Sequence, residues 1–264
     1  MMRERSTPMW ALAAGCVPDA APWEIPRIAQ AAGFRACGMW VDPATTWDSG
    51  ALAKVRTALD ETGVELVDVE ALWLREGARA NDAQKLLVEV ALELGAPTVL
   101  VVSLADKLED GVGQFRDLCA MAGADVRINL EFGEFTRVRS LAAAREFIDA
   151  VDHPAAAILI DLMHLNRAGD ALPALTSSEF GYVQACDFWQ SSASLTGTAY
   201  IEAAVDARCP LGEGEARRDD IAAVCRSDLD VSLEIRSKAL REAFPDPYAR
   251  ATQIYERCRR ESYC

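Results

Sequence analysis

Two histidines in 264 residues are too few for a catalytic site built from several imidazoles, such as the multi-zinc centre of a phosphodiesterase. Lysine and arginine are also scarce relative to aspartate and glutamate, 27 against 41, giving a net charge of -14. That balance argues against nucleic acid as a partner, because phosphate binding relies on clustered basic side chains. No apolar run approaches the ~20 residues needed to cross a bilayer, so no membrane partner is expected either. The chain also lacks a C-x-x-C pair and a G-x-G-x-x-G turn. The first absence leaves eight scattered cysteines that read as reduced, cytoplasmic thiols, and the second removes the main signature of an open dinucleotide-binding sheet. The stretch "RER" followed by "PMWALAAGC" has the look of a short leader ending at Cys16, but Pro8 opens its apolar part. It reads better as a first strand.

Eight short segments of strand character are present, at residues 9–15, 36–41, 64–70, 98–103, 126–132, 157–161, 181–187 and 230–235. Helical stretches separate them. The clearest is "NDAQKLLVEVALELGA", with Asn81 or Asp82 as cap, Leu86, Leu87, Val90 and Leu94 on one face, and Gly95 as stop. "DSGALAKVRTALDETG" and "SLAAAREFIDAVD" follow the same grammar, the second capped by Ser140, and further helices fit 24–32, 113–122, 217–226 and 247–260. Strand and helix alternate about eight times without a linker of biased composition. The expectation is an α/β fold, a (β/α)8 TIM barrel formed as one domain over residues 1–264.

In such a barrel the active site lies at the C-terminal ends of the strands. Four successive late strands end in polar residues: Glu131 in "INLEF", Asp161 in "LIDLMH", Gln184 in "YVQACD" and Glu234 in "SLEI". Three carboxylates gathered at one mouth repel each other, and a divalent cation removes that cost. Two Glu, one Asp and one Gln amide form a hard oxygen set that suits Mg²⁺ or Mn²⁺.

At these residues the sequence resembles the xylose isomerase-like TIM barrels, the sugar phosphate isomerase/epimerase superfamily that also includes inosose and 3-dehydroshikimate dehydratases. "AAGFRACGMWV", "GVELVDVEALWL", "LEFGEFTRVRSLAAAREFID", "LIDLMHLNRAGD", "YVQACD", "PLGEGE" and "VSLEI" occur in the family's order. The resemblance implies one divalent metal ion, Mn or Mg, held by Glu131, Asp161, Gln184 and Glu234, with Glu131 and Glu234 doubling as acid and base. It implies that His164 meets a substrate oxygen and that Arg208, before the G-x-G loop, holds a substrate oxygen or carboxylate. Glu70, ending the third strand, and Trp40 are expected to line the mouth; Trp73, Phe132 and Trp189 are candidates for an apolar wall, and Glu134 is a weaker candidate. His153, before a strand, belongs to the opposite end and reads as structural. Gln184 stands where many epimerases carry histidine, which loosens the epimerase reading.

The function implied is a divalent-metal-dependent isomerase or epimerase of a sugar, polyol or related α-hydroxyketone acting through an enediolate. The alternatives are a metal-dependent dehydratase or lyase and, from another class, a non-catalytic barrel that binds a metabolite or subunit. A small-molecule substrate is expected, with a homo-oligomer open.

Overall fold

A computed structural model describes residues 9–189 and 195–260 of the chain. Eight parallel strands close into a barrel: β1 (Trp10–Leu12), β2 (Ala36–Trp40), β3 (Glu65–Leu74), β4 (Thr98–Ser103), β5 (Arg127–Glu131), β6 (Ala156–Asp161), β7 (Phe180–Ala185) and β10 (Val231–Leu233). Each pairs with its neighbour in sequence, and β1 closes the ring on β10. The two remaining strands, β8 (Asp187–Phe188) and β9 (Arg208–Cys209), form a small antiparallel pair outside it. The helices are α1 (Ile25–Ala32), α2 (Ala51–Thr62), α3 (Asp82–Leu94), α4 (Leu108–Ala122), α5 (Leu141–Val151), α6 (Leu162–Arg167), α7 (Gly197–Asp206), α8 (Arg218–Cys225), α9 (Lys238–Ala243) and α10 (Pro247–Arg260).

The expected barrel is therefore the observed one, with differences at element ends. The first strand stops at Leu12 and turns into a short 3-10 segment at Ala14–Cys16, and β3 runs on to Leu74, beyond the expected Glu70. The fourth helix begins at Leu108 instead of 113. Gly111 and Gly113 disguise its first turns as loop, yet the second is a packing requirement: a Cβ there would come within 2.4 Å of the Ala78 carbonyl oxygen. Asn81 is the α3 cap, accepting from Gln84 N at 3.0 Å while the Gln84 side chain accepts from Asn81 N at 2.8 Å. Ser140 caps α5 through Ala143 N. The short helices α6, α7 and α9 and the β8/β9 pair have no counterpart in the sequence reading.

Burial divides the core into two layers. Outward-facing strand residues such as Ile128, Leu130, Ile158 and Ile160 pack on the helices, while Met9, Ala11, Ala36, Val67, Leu100, Val102, Leu159 and Tyr182 fill the barrel interior. Between Cys37 and Gly38 the β2–β3 pairing slips by one residue, so that Cys37 faces Leu66 and Gly38 faces Asp68. The extra residue, Val67, reverses the alternation and turns Asp68 and Glu70 toward the barrel axis. Gly38 makes room for this: a Cβ there would lie 2.4 Å from Asp68 Oδ1.

Among the described residues no helix is long and apolar enough to cross a membrane. Cys16, Cys37, Cys119, Cys186, Cys209 and Cys258 are free thiols. Cys225 is disulfide-bonded, a correction to the expectation of reduced cysteines throughout. Spacing along the chain does not reveal which thiols approach each other in space. Cys264 lies outside the described residues, as do residues 1–8.

Candidate active site at the barrel mouth

Asp161 is both the last residue of β6 and the cap of α6. Its Oδ1 accepts from Met163 N at 2.7 Å and His164 N at 3.1 Å. Starting a helix on the strand's final carboxylate carries His164 back over the mouth, one turn on. The Oδ2 atom accepts from Arg208 Nη1 at 2.6 Å, and Arg208 Nη2 lies 2.9 Å from Glu234 Oε2. The guanidinium thus joins the ends of β6 and β10, anchored by Nε to Ala204 O at 2.7 Å. Glu131 enters from β5, its Oε1 3.6 Å from His164 Nε2, and Asp161 Oδ2 lies 3.9 Å from the same nitrogen. Gln184 stands level with Asp161 in the ladder and reaches Glu70 Oε2 at 3.5 Å. All these side chains are buried.

The electrostatics follow from crowding four carboxylates into a dry mouth. Burial, then Glu234 and Asp161, raises the Glu131 carboxyl well above its ordinary range. Burial, then Asp68 and Glu234, does the same to Glu70. Burial also raises Glu234, but Arg208 pulls it back, to about 7. At Asp161 burial is overcome by Arg208 and His164, and the carboxyl is held below the usual carboxylate range. Burial pushes His164 down to about 4 against the pull of Asp161, so the ring is neutral near pH 7.

A family model described as xylose isomerase-like TIM barrel matches residues 26–227, the span that contributes every mouth residue above except Glu234. The chain belongs to that family. No curated protein matches the chain. Solved structures share the family's fold at low identity. A D-allulose 3-epimerase from Methylomonas sp. is 15% identical, with 97% of this chain and 98% of that one covered and a TM-score of 0.65. The probable 3-DHS dehydratase AsbF of petrobactin synthesis from Bacillus anthracis is 15% identical, with 94% and 97% covered and a TM-score of 0.70. IolI, solved with a binding zinc atom, is 14% identical, with 96% and 95% covered and a TM-score of 0.70. The chain spans 42% of a xylose isomerase-like TIM barrel/4-hydroxyphenylpyruvate dioxygenase fusion protein, at 20% identity over 94% of this chain and a TM-score of 0.72.

The mouth carries donors that could hold a cation. Glu131, Asp161 and His164 present ligand atoms within 4.8 Å of one another. Among the described residues, Gln184 Oε1 and Glu70 Oε1 are buried acceptors without a donor. Five buried carboxylates, the four of the mouth and Asp68 behind Glu70, face three guanidinium groups, Arg167, Arg208 and Arg236, which leaves negative charge for protons or a cation to balance. These features fit a divalent cation.

The structure brings Glu131, Asp161, Gln184, Glu234, His164, Arg208 and Glu70 together. Arg208, expected to meet substrate, is occupied by Asp161 and Glu234. Trp40 is half-buried beside Glu70, its ring 5.5 Å from the Arg236 guanidinium. The other proposed aromatics divide: Phe132 is buried in the outer core layer, whereas Trp73 and Trp189 are exposed. Glu134 pairs at 3.9 Å with Arg139. His153 accepts from Ala155 N in the turn that opens β6, as a structural residue would.

Sequence reasoning missed Arg236, Tyr200 and Arg167. The first was findable, because strand alternation places a residue two beyond Glu234 on the same side. Tyr200 was not, since α7 carries no motif and its hydroxyl reaches His164 only through the fold, at 2.7 Å.

Proposed function

We propose that the protein is a divalent-metal-dependent isomerase or epimerase of an α-hydroxyketone, of the sugar or polyol type. The observation that carries this is the pair Glu131 and Glu234, carboxylates from two separate strand ends, both raised by burial and flanking Asp161 and His164. Glu131, Asp161, Gln184 and Glu234 would hold the ion. Bound there, Mn²⁺ or Mg²⁺ supplies Lewis acidity that makes the hydrogen beside a substrate carbonyl more acidic.

The chain's own groups then move the proton. Arg208 keeps Glu234 the more readily ionised of the two glutamates, so near neutral pH Glu234 suits removal of the proton and Glu131 suits its return. Return to the opposite face of the same carbon gives epimerisation, and return to the neighbouring carbon gives isomerisation. His164 faces the charge developing on a substrate oxygen, and Trp40 helps to exclude water. The D-allulose 3-epimerase neighbour lends this reading its support by fold.

A dehydratase is the second reading, favoured by Arg236. Its guanidinium rests at the mouth over Trp40 and makes no ion pair among the described residues, which suits a substrate carrying a carboxylate. There the proton removed is followed by loss of a β-hydroxyl. Purified protein with Mn²⁺, incubated in D₂O with a panel of ketoses and α-hydroxyketones, with and without a carboxylate group, separates the two. Deuterium uptake without loss of water supports the isomerase or epimerase, an ultraviolet-absorbing enone supports the lyase, and neither across the panel refutes both in favour of a binding barrel.

A further inference from the structure

A neutral imidazole carries one hydrogen on two nitrogens, and which nitrogen has it decides what the ring can do. In His164, Nδ1 lies 2.7 Å from Tyr200 Oη, with both residues buried. The Arg167 guanidinium packs on the Tyr200 ring, its carbon 4.8 Å from the ring centroid.

Among the described residues Nδ1 is the one hydrogen-bond partner of Tyr200 Oη, and the hydroxyl hydrogen needs an acceptor, because a buried one is seldom left unpaired. The acceptor at hand is Nδ1. The ring's one hydrogen must then sit on Nε2.

We infer that Tyr200, oriented by Arg167, fixes His164 as the Nε2–H tautomer and makes it a hydrogen-bond donor to substrate in place of a metal ligand. At 3.6 Å from Glu131 Oε1 and 3.9 Å from Asp161 Oδ2, Nε2 is too far from either for a formed hydrogen bond. Its N–H points between two carboxylates and is available to a substrate oxygen placed there.

A nitrogen that carries hydrogen has no lone pair in the ring plane for a cation. His164 thus leaves the Glu131, Asp161, His164 triad, and the cation's donors are all oxygens, a set that favours Mg²⁺ or Mn²⁺ over zinc. The ring is held for this role on its other side too. Phe135 packs on it at 4.8 Å between centroids, and Gly133 leaves it room, since a Cβ there would come 3.1 Å from Cγ and 3.2 Å from Nδ1.

The tautomer stands on these contacts alone, whereas its use toward substrate rests on the function proposed above. Tyr200 and Arg167 are positioning residues, acting through His164. With two histidines in the chain, ¹⁵N-histidine labelling and two-bond ¹H–¹⁵N spectra at pH 7.5 resolve both rings, and His153→Gln assigns them.

The expected spectrum shows His164 with its hydrogen on Nε2. In Tyr200→Phe the Nδ1 resonance moves downfield to the position of an imidazole nitrogen with no donor, while the His153 resonances and far-ultraviolet dichroism stay as they are. Added Mg²⁺ leaves the Nε2 hydrogen in place. A hydrogen on Nδ1 in the wild type, an Nδ1 resonance unmoved in Tyr200→Phe, or loss of the Nε2 hydrogen on adding Mg²⁺ would each overturn the assignment. None of these readouts needs turnover, so a failed D₂O assay and a failed tautomer assignment are distinguishable.

Discussion

Arg208→Met gives the sharpest test of how the mouth is held together. The wild-type guanidinium compensates Asp161 at 2.6 Å and Glu234 at 2.9 Å, and it is itself only 3% exposed. Methionine fills similar space without charge and leaves two buried carboxylates facing each other. Removing one member of such a buried ionic group costs about 3–5 kcal/mol, mainly through the stranded partners. In a chain of this size each kcal/mol moves the midpoint by roughly 2–4 °C, so a fall of about 10 °C is expected for the metal-free variant.

Urea denaturation at pH 8, with and without Mn²⁺, measures this. The deficit should shrink when Mn²⁺ is added and again at pH 5, because a cation or protons can take over from the missing charge. A loss below about 1 kcal/mol at pH 8 in the absence of metal would refute the reasoning: the mouth would then be wetter, or its carboxylates less ionised, than the geometry implies.

Three further outcomes follow from the same site. Glu131→Gln and Glu234→Gln should each lower deuterium exchange by at least about 100-fold, the scale of general acid–base catalysis, with folding retained; exchange within tenfold of wild type removes the glutamate in question from the chemistry. His164 keeps a folded pKa of about 4 against an unfolded value near 6.5, so the unfolded chain binds the proton first as pH falls. Stability that is complete above pH 6.5 is therefore lost on acidification to pH 4, by about 3 kcal/mol, and His164→Gln should lack that slope in urea titrations. Arg236→Gln should raise KM tenfold or more for a carboxylate-bearing substrate, the scale of a charge-assisted hydrogen bond, and leave uncharged ketoses unaffected. Equal effects on both classes would count against Arg236 as an anion anchor.

The barrel was legible because its strands obey a local rule. Apolar runs bounded by capped helices mark β2, β4, β5 and β6 to within a residue, and the register of the ladder then brings their final polar residues to one end. What sequence could not convey depends on contacts between distant segments. The slip at Val67 that turns Asp68 and Glu70 inward is invisible in "VELVDVE", where either alternation is plausible. Arg208 stands out in the sequence beside its G-x-G loop, yet its two ion pairs arise only when β9 folds back over β6 and β10. The helix α6 was hidden for the reason that makes the site work: Asp161 ends a strand and caps a helix at once, so the same residue reads as a boundary from either side.

Mn²⁺ titration of the metal-free protein by calorimetry tests the central claim most directly, because the cluster of buried carboxylates is argued to exist for a cation. The account predicts one Mn²⁺ per chain and loss of binding in Asp161→Asn. No saturable binding up to millimolar Mn²⁺, or binding undiminished in Asp161→Asn and Glu131→Gln, would contradict it.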